Sequence, residues 1–600
     1  MTDSERFRHL LDVDELPGEA APLRPSWADE DEIDTFDEFV HDFWSGKLSP
    51  DDFKKFRLQN GIYGQKQEGV QMVRVKIPWG GLTAGQLEAL AAIAAETPRG
   101  VAHVTTRQNV QYHFVPLDRV TDFTRRLAVV GLTTREACGN TVRNVTAGHC
   151  AGVCSKEAFD VTPYAEAVAR YLLRNSMNQN LPRKFKIAFS GCPDDTGLTA
   201  IHDVGCKAVI KEVNGKPIRS FEIYVGGGLG SFPKIAQLLE EFTPAERLLP
   251  TVAAIVRVFD RHGNRENRNQ ARLKFVLDKL GVEETRKLIF KERGALEFTH
   301  AGLFPEVTIW EERPPVHQTN GRPADLSGVV ATDAYQHWRS TNVVPQKQPG
   351  FAMVHVRLVL GDITPVQLRA LAQAAREFGN GAARSTAQQN FVLRWIREAD
   401  LPHLYQLLAR EGLAFIGAER AIDVTSCPGA DTCQLGITSS RGLALAIGEV
   451  FNNGLASLAD EGGIRIKISG CPNSCGQHHI ANIGFYGGAK KYNGEQAPAY
   501  QLLLGASLDA GNAHYGKPTA KIPSKNIPAL VERLLLFFKE ERQSGESFNA
   551  FLDRVGDNKI RDIIAPYTTL PAVSEAPKSY KDWGSDKSFT IDTGPGECAA

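Results

Sequence analysis

Two stretches of this 600-residue chain recur at almost one fixed distance, and that repetition limits the possible folds more than any other feature. Ala102-His-Val-Thr-Thr-Arg-Gln-Asn-Val-Gln-Tyr-His-Phe is echoed by Ala383-Arg-Ser-Thr-Ala-Gln-Gln-Asn-Phe-Val-Leu-Arg-Trp, 281 residues later. Lys186-Ile-Ala-Phe-Ser-Gly-Cys192-Pro-Asp-Asp-Thr196 is echoed by Lys467-Ile-Ser-Gly-Cys471-Pro-Asn-Ser-Cys475, with the cysteines 279 apart. A period this long is not a solenoid repeat and marks an internal duplication.

Local patterning says what is duplicated. Val70-Gln-Met-Val-Arg-Val-Lys alternates as a strand does, with Arg74 and Lys76 on one face. Residues 83–97 then read as a helix, 101–115 as a further strand region and 117–130 as a second helix, which makes a small α+β unit. The same order returns with the strand from Met353, the helix from Thr364 to Phe378 and the strand region after Ala383. Before the first unit, the acidic run Trp27-Ala-Asp-Glu-Asp-Glu-Ile-Asp reads as a solvated arm. Ser49 and Pro50 read as N-cap and first residue of a short helix.

Four cysteines stand in two short segments, Cys427-Pro-Gly-Ala-Asp-Thr-Cys433 and Cys471-Pro-Asn-Ser-Cys475. Structural zinc sites usually space each pair by two to four residues, so five in the first pair disfavours zinc. An iron–sulfur cubane needs thiolates at the corners of a larger object and suits wider, unequal spacing. Buried or paired cysteines are the plain alternative. Laid against the second half, Cys138 falls opposite Cys427 and Cys192 opposite Cys471. Asn144 then stands for Cys433 and Thr196 for Cys475, so the first half is expected to hold no cluster of the same kind.

The bulk properties exclude rather than select. The length exceeds what one core can organise, so three or four domains are expected. A formal net charge of -1 gives no general attraction to nucleic acid. No stretch of eighteen apolar residues appears, and the first residues carry no apolar run after their charges, so neither a membrane span nor a signal peptide is expected. Ten cysteines in a chain of this size are no disulfide framework, which suits a reducing, cytoplasmic setting. Val225-Gly-Gly-Gly-Leu-Gly lacks the register of a dinucleotide turn, so electrons must come from a separate protein.

The cysteine segments, with Ser-Gly-Cys-Pro-Asn-Ser-Cys-Gly as the second, resemble those of the sulfite and nitrite reductases that carry sirohaem beside a [4Fe-4S] cluster. The resemblance runs from Tyr63 to about residue 550. It implies an α+β fold of two pseudo-repeated halves, each a small ferredoxin-like α/β unit plus a larger mixed α/β domain that binds sirohaem or cluster. The implied division is an N-terminal arm (1–60), ferredoxin-like half-domain 1 (61–132), sirohaem and substrate domain 1 (133–310), a linker (311–345), ferredoxin-like half-domain 2 (346–415), iron–sulfur and sirohaem domain 2 (416–565) and a C-terminal tail (566–600).

The resemblance also implies roles. Cys427, Cys433, Cys471 and Cys475 would hold the cluster, with Cys475 bridging to the sirohaem iron. Arg74, Arg143, Lys184 and Lys186 match substrate-binding basic residues, the lysines as proton donors. Thr105, Arg107, Gln111 and Asn473 would meet the sirohaem carboxylates. The basic run Arg265 to Lys274 would do the same or form the polar face of a helix. Tyr63 and Cys138 match a tyrosine–cysteine pair that is covalently joined in some ferredoxin-dependent members, with an ordinary buried thiol as the alternative. Cys598 belongs to the tail and carries no expected role.

The implied activity is six-electron reduction of sulfite to sulfide, with nitrite to ammonia as the alternative on the same scaffold. An iron–sulfur regulatory or scaffold protein is the remote alternative. The donor would be ferredoxin or a separate flavoprotein, docking on local basic groups such as Lys490 and Lys491. The substrate is a small anion, no nucleic acid or membrane partner is implied, and a monomer is expected.

Overall fold

Thr83 and Thr364, 281 residues apart, start their helices with the same reciprocal cap. Thr83 Oγ1 accepts from Gln86 N at 3.2 Å while Gln86 Oε1 accepts from Thr83 N at 3.0 Å; Thr364 and Gln367 repeat this at 3.3 and 3.0 Å. Each pair satisfies two orphan donors at once. The helices that follow, Ala84–Glu96 and Pro365–Phe378, bury their alanine and leucine faces against each other in one core common to both small units. The computed structural model describes residues 25–300, 302–315, 326–452, 456–459, 463–509 and 511–597. Cys598 lies outside them.

The two small units are interlocked rather than adjacent. The first sheet runs Ile62–Gly64, Val70–Val75, Val110–Pro116, Ala102–Val104 and then Asp362–Ile363, a strand from the second half. The other sheet runs Val343–Pro345, Phe351–Val356, Phe391–Arg397, Ala382–Ser385 and then Gly81–Thr83, from the first. Asp362 stands opposite His103, and Leu82 opposite Ala383. Each lent strand follows a tight turn with a left-handed residue, Trp79 (φ 47°) before Gly80 and Leu360 (φ 59°) before Gly361. A side chain in that region costs about 1 kcal/mol or more, and burial of both side chains offsets it.

The larger domains repeat one another too. Thr146–Ala147, Ile187–Ser190 and Val204–Val213 pair in parallel, and Lys216–Val225 and Gln237–Pro244 add antiparallel strands. Thr425–Ser426, Ile466–Ser469, Ile483–Tyr492, Glu495–Leu504 and Lys517–Pro523 follow the same plan. Both hairpins turn on Asn-Gly with positive φ, at Asn214-Gly215 and Asn493-Gly494. That dipeptide suits a two-residue turn because both central residues must be left-handed. The protein is therefore an α+β molecule of two pseudo-repeated halves, each a small ferredoxin-like unit plus a larger mixed domain.

The segments that read as an arm, a linker and a tail are all tied to the rest of the molecule. The acidic run is not a solvated arm but the helix Glu30–Trp44, which buries Phe36 and Val40 in the shared core. Its Glu32 pairs with Arg174 at 2.8 Å and Arg135 at 3.3 Å. Composition missed this because the charges occupy one helix face while the phenylalanines take the other. The linker carries the helix Asp333–Asn342, with Tyr335 and Trp338 buried, and Glu312 pairs with Arg384 and Arg394. The tail is strapped down: Tyr580 and Phe589 are buried, and Glu597 accepts from Gly64 N at 2.6 Å and from Arg57 Nη1 at 2.8 Å. The Ser49 cap behaves as expected, with Ser49 Oγ accepting from Asp52 N at 3.2 Å at the head of Pro50–Gln59.

Candidate active site

The cysteine segments leave the ends of two parallel strands, Thr425–Ser426 and Ile466–Ser469, and are folded together by their own backbone. Cys427 N donates to Ile468 O at 3.3 Å, Gly470 N donates to Cys427 Sγ at 3.2 Å, and Cys433 N donates to Gly429 O at 3.1 Å. Gly429 and Gly470 approach so closely that a Cβ on Gly470 would press on the Gly429 backbone. Burial pushes the Cys471 thiol up to about 12, and the charges of Cys475 and Cys427 add to it. Three of the four sulfurs thus sit within electrostatic reach. Cys475 is exposed, and Asn473 beside it hydrogen bonds to Cys471. A cationic iron cluster would remove the cost of ionising such thiols.

Facing this loop is a wall built by the first half. Arg107, in the turn after Ala102–Val104, donates to Thr146 Oγ1 at 3.0 Å and also meets Asn144 O and His202 Nε2. Its Nε is buried without a partner among the described residues. Burial lowers the Arg107 pKa to about 9; Asp203 opposes this, while Arg143 and Arg272 add to it. Burial likewise pushes Lys186 well below its ordinary value, with Arg107, Arg272 and Lys184 adding to it and Cys475 opposing. Arg272 is held by Asp203 at 2.7 and 3.0 Å, and Asp203 also accepts from Lys186 N at 2.9 Å.

The rest of the wall is held by Tyr63. Arg143 donates to Tyr63 Oη at 3.3 Å, to Gly139 O at 2.8 Å and to Ala137 O at 3.1 Å. Arg74 donates to the same Ala137 O at 3.3 Å and lies 5.1 Å over the Tyr63 ring. Tyr63 and Cys138 pack in one buried cluster with Leu58 and Met72. Gln111, with its amide oriented to satisfy both groups, accepts from Arg74 at 2.5 and 2.7 Å. Thr105 Oγ1 accepts from Arg107 N at 3.2 Å and Asn109 N at 3.1 Å. Gln111 and Thr105 thus use polar groups to shape the wall.

The sequence missed several members. Thr106, not Thr105, ties the halves together: its hydroxyl donates to Cys475 O at 3.0 Å, and Gln477 Nε2 returns to Thr106 O at 3.4 Å. His202 and Asp203 had no motif to mark them. Of the basic run 265–274, Arg272 and Lys274 are buried, while Arg265 pairs with Asp260 at the surface. Lys490 and Lys491 are exposed on the strand Ile483–Tyr492.

The alignment of the halves is corrected. Gly148 N donates to Phe189 O at 3.0 Å just as Cys427 N donates to Ile468 O, and both residues of each pair are 279 apart. Gly148, not Cys138, is the image of Cys427, and Cys154, not Asn144, is the image of Cys433. Cys192 and Thr196 remain the images of Cys471 and Cys475. Sequence comparison slipped here because the anchoring echo lay beyond the loop, where the offset is not yet set.

The family model "Nitrite and sulphite reductase 4Fe-4S domain" matches residues 138–296 and 417–570, and "Nitrite/Sulfite reductase ferredoxin-like half domain" matches 63–130 and 344–411. The chain belongs to the nitrite and sulfite reductase family. Among relatives of this reductase, the assimilatory ferredoxin-dependent nitrite reductase of Haloferax mediterranei is 27% identical over 88% of this chain and 90% of its own. The ferredoxin–nitrite reductase of Synechococcus elongatus is 30% identical over 78% and 85%, and the ferredoxin sulfite reductase of Mycobacterium tuberculosis 28% over 84% and 88%. The solved structure of Mycobacterium tuberculosis NirA superposes with a TM-score of 0.73 at 26% identity, covering 88% of this chain and 95% of that one.

A nitrite or sulfite reductase is an oxidoreductase that carries sirohaem and a [4Fe-4S] cluster, and the donor set here fits both. Arg74, Arg107, Arg143, Lys186 and Arg272 surround a wall in which Asp203 is the buried carboxylate holding Arg272. That excess of positive charge, buried at Arg143 and Arg272 and half-buried at Arg74, Arg107 and Lys186, calls for an anionic occupant. A polycarboxylate macrocycle and an oxyanion would both supply it. Among the described residues no helix is long and apolar enough to cross a membrane.

Proposed function

We propose that this reductase converts sulfite to sulfide, taking six electrons one at a time from reduced ferredoxin. The observation that carries the reading is Lys186, set among Arg107, Arg272 and Lys184 and within reach of the Cys475 charge. Sulfite carries more negative charge than nitrite and gives up three oxygens as water, so a second lysine in the wall favours it. The resemblance supports this, since sulfite reducers tend to have lysine at this position and nitrite reducers often asparagine.

Cys427, Cys433, Cys471 and Cys475 would hold the cluster, with Cys475 shared with the sirohaem, which would bind the central atom of the substrate and deliver electrons to it. Arg107 and Asn473 would meet its carboxylates, and Arg107 is itself fixed by Thr105. Arg74 and Arg143, fixed by Ala137 and Tyr63, would orient the oxyanion through bidentate donors. Lys184 and Lys186 would donate protons. Burial makes Lys186 a readier donor than an ordinary lysine, because its charged form is less favoured. Conversion of sulfite to hydrosulfide and three waters takes up seven protons with the six electrons, so a wall of exchangeable donors is required.

Wall and cysteine loops come from the two halves of one chain, so a monomer suffices. The cysteine thiolates that would hold the cluster suit the reducing cytoplasm. A second reading, nitrite to ammonia, is favoured by the two nitrite reductases among the relatives above. Steady-state rates with reduced ferredoxin decide between them: kcat/KM should be higher for sulfite, and a tenfold preference for nitrite would reverse the assignment.

A further inference from the structure

The first half carries a second thiol cluster that this reaction does not use. The Sγ atoms of Cys150, Cys154 and Cys192 all lie within 4.8 Å of one another. Cys154 and Cys192 occupy the image positions of Cys433 and Cys471, while Cys150 is an addition with glycine, Gly429, as its image. Two successive turns, Ala151 N to Gly148 O at 3.1 Å and Val153 N to Cys150 O at 3.0 Å, bring Cys150 and Cys154 round to Cys192. The loop is then fastened to the second ferredoxin-like sheet. Arg394 Nη1 donates to Ala151 O at 2.8 Å, Gln348 Nε2 to Gly152 O at 3.0 Å and Lys347 N to Val153 O at 2.9 Å. The loop's own turns and the facing sheet thus hold the three thiols together.

The size of the cluster selects its occupant. A tetrahedral ion with sulfur at about 2.3 Å places its ligand sulfurs about 3.8 Å apart. The thiolates of a cubane are bonded to different irons and must stand farther apart. Among the described residues, the four motif cysteines do not gather within the 4.8 Å that encloses these three. A four-thiolate cubane frame is also incomplete here, because Gly148 stands at the image of Cys427 and Thr196 at the image of Cys475. Thr196 Oγ1 instead lies 3.4 Å from Cys150 Sγ and 3.7 Å from Cys192 Sγ, where its hydroxyl can donate to a thiolate. Val153, Met353, Val392 and Trp395 pack round Cys150 and Cys192, while Cys154 is half-buried at the edge of the cluster.

We propose that Cys150, Cys154 and Cys192 bind a single zinc ion as three thiolates, and that this ion clamps the loop carrying Cys150 and Cys154 to the segment that follows the strand Ile187–Ser190. The thiol protons pass to solvent on binding, and no electron is transferred.

The test is metal analysis of the holoenzyme purified without added zinc. The expected result is one zinc per chain beside about five irons, the number set by one cubane and one sirohaem. X-ray absorption at the zinc edge should report three sulfurs at about 2.3 Å. Cys150→Ser and Cys154→Ser should release the zinc while iron content and the visible spectrum stay unchanged. Zinc far below one per chain, zinc ligated only by oxygen and nitrogen, about four further irons, or a disulfide between two of the three found by differential alkylation would each overturn the proposal. Should the variants fail to fold, the absorption spectrum of the wild-type protein decides.

Discussion

Asp362 Oδ1 lies 2.9 Å from His103 Nδ1, on the strand that the second half lends to the first sheet. Arg441 joins them, donating to Asp362 Oδ2 at 2.5 Å. Burial raises the Asp362 pKa, but the hydrogen bonds and charges of His103 and Arg441 outweigh it and hold the carboxyl at about 2. A carboxylate with a depressed folded pKa stabilises the fold above its ordinary value of 3.8, and that contribution fades as pH falls towards 2. Asp362→Asn should therefore lower the melting temperature at pH 7, through a loss of at most about 2 kcal/mol. The gap from wild type should narrow between pH 4 and pH 3. A gap of the same size at every pH would mean the charge plays no part.

Lys186→Asn keeps a hydrogen-bond donor and removes the charge. Sulfite turnover should fall roughly tenfold or more, corresponding to about 1.4 kcal/mol in the transition state, while nitrite turnover falls much less. Paired rate measurements on one preparation check this. Equal losses would leave Lys186 as a general proton donor and remove the main support for sulfite.

Cys475→Ser replaces a thiolate with a poor iron ligand. Because Thr106 holds the backbone carbonyl of Cys475 and not its sulfur, the loop should keep its shape. Activity should drop roughly hundredfold or more, and electron paramagnetic resonance should show no coupling between cluster and sirohaem. Full iron content together with full activity would sink the assignment.

Lys490 and Lys491 are exposed close after the ligand loop. If an acidic ferredoxin docks there, kcat/KM for ferredoxin should fall several-fold as ionic strength rises from about 0.05 to 0.3 M, where the Debye length shrinks. Lys490→Glu with Lys491→Glu should reduce both the rate and its salt dependence, leaving turnover with a small-molecule reductant unchanged. Salt-independent rates with wild type would place the docking surface elsewhere.

The sequence is most legible where candidate residues stand in short motifs. Cys427, Cys471 and Cys475 lie within electrostatic reach of one another, and Arg74 and Arg143 share the Ala137 carbonyl. It read poorly where a role depends on a partner far along the chain. Thr105 and Thr106 are neighbours of the same chemical type, and the fold alone makes one brace the turn and the other bridge to Cys475. His202 and Asp203 lie in no motif, yet both contact the basic cluster.

By itself, the sequence determined much of what local chemistry decides: the cap at Ser49, the helices that begin near Thr83 and Thr364, the alternation of the strands, the duplication and the cysteine spacings. These depend on residues a few positions apart, where backbone geometry leaves few choices. Only the tertiary structure decided that each half lends a strand to the other's sheet and that the acidic run is a helix seated on a shared core. It also decided that Cys150 meets Cys154 and Cys192, and that Glu597 returns to Arg57. Apart from Cys150 and Cys154, those contacts join residues tens to hundreds of positions apart. They arise because two duplicated units bury their apolar helix faces against each other, a driving force proportional to area and blind to sequence distance.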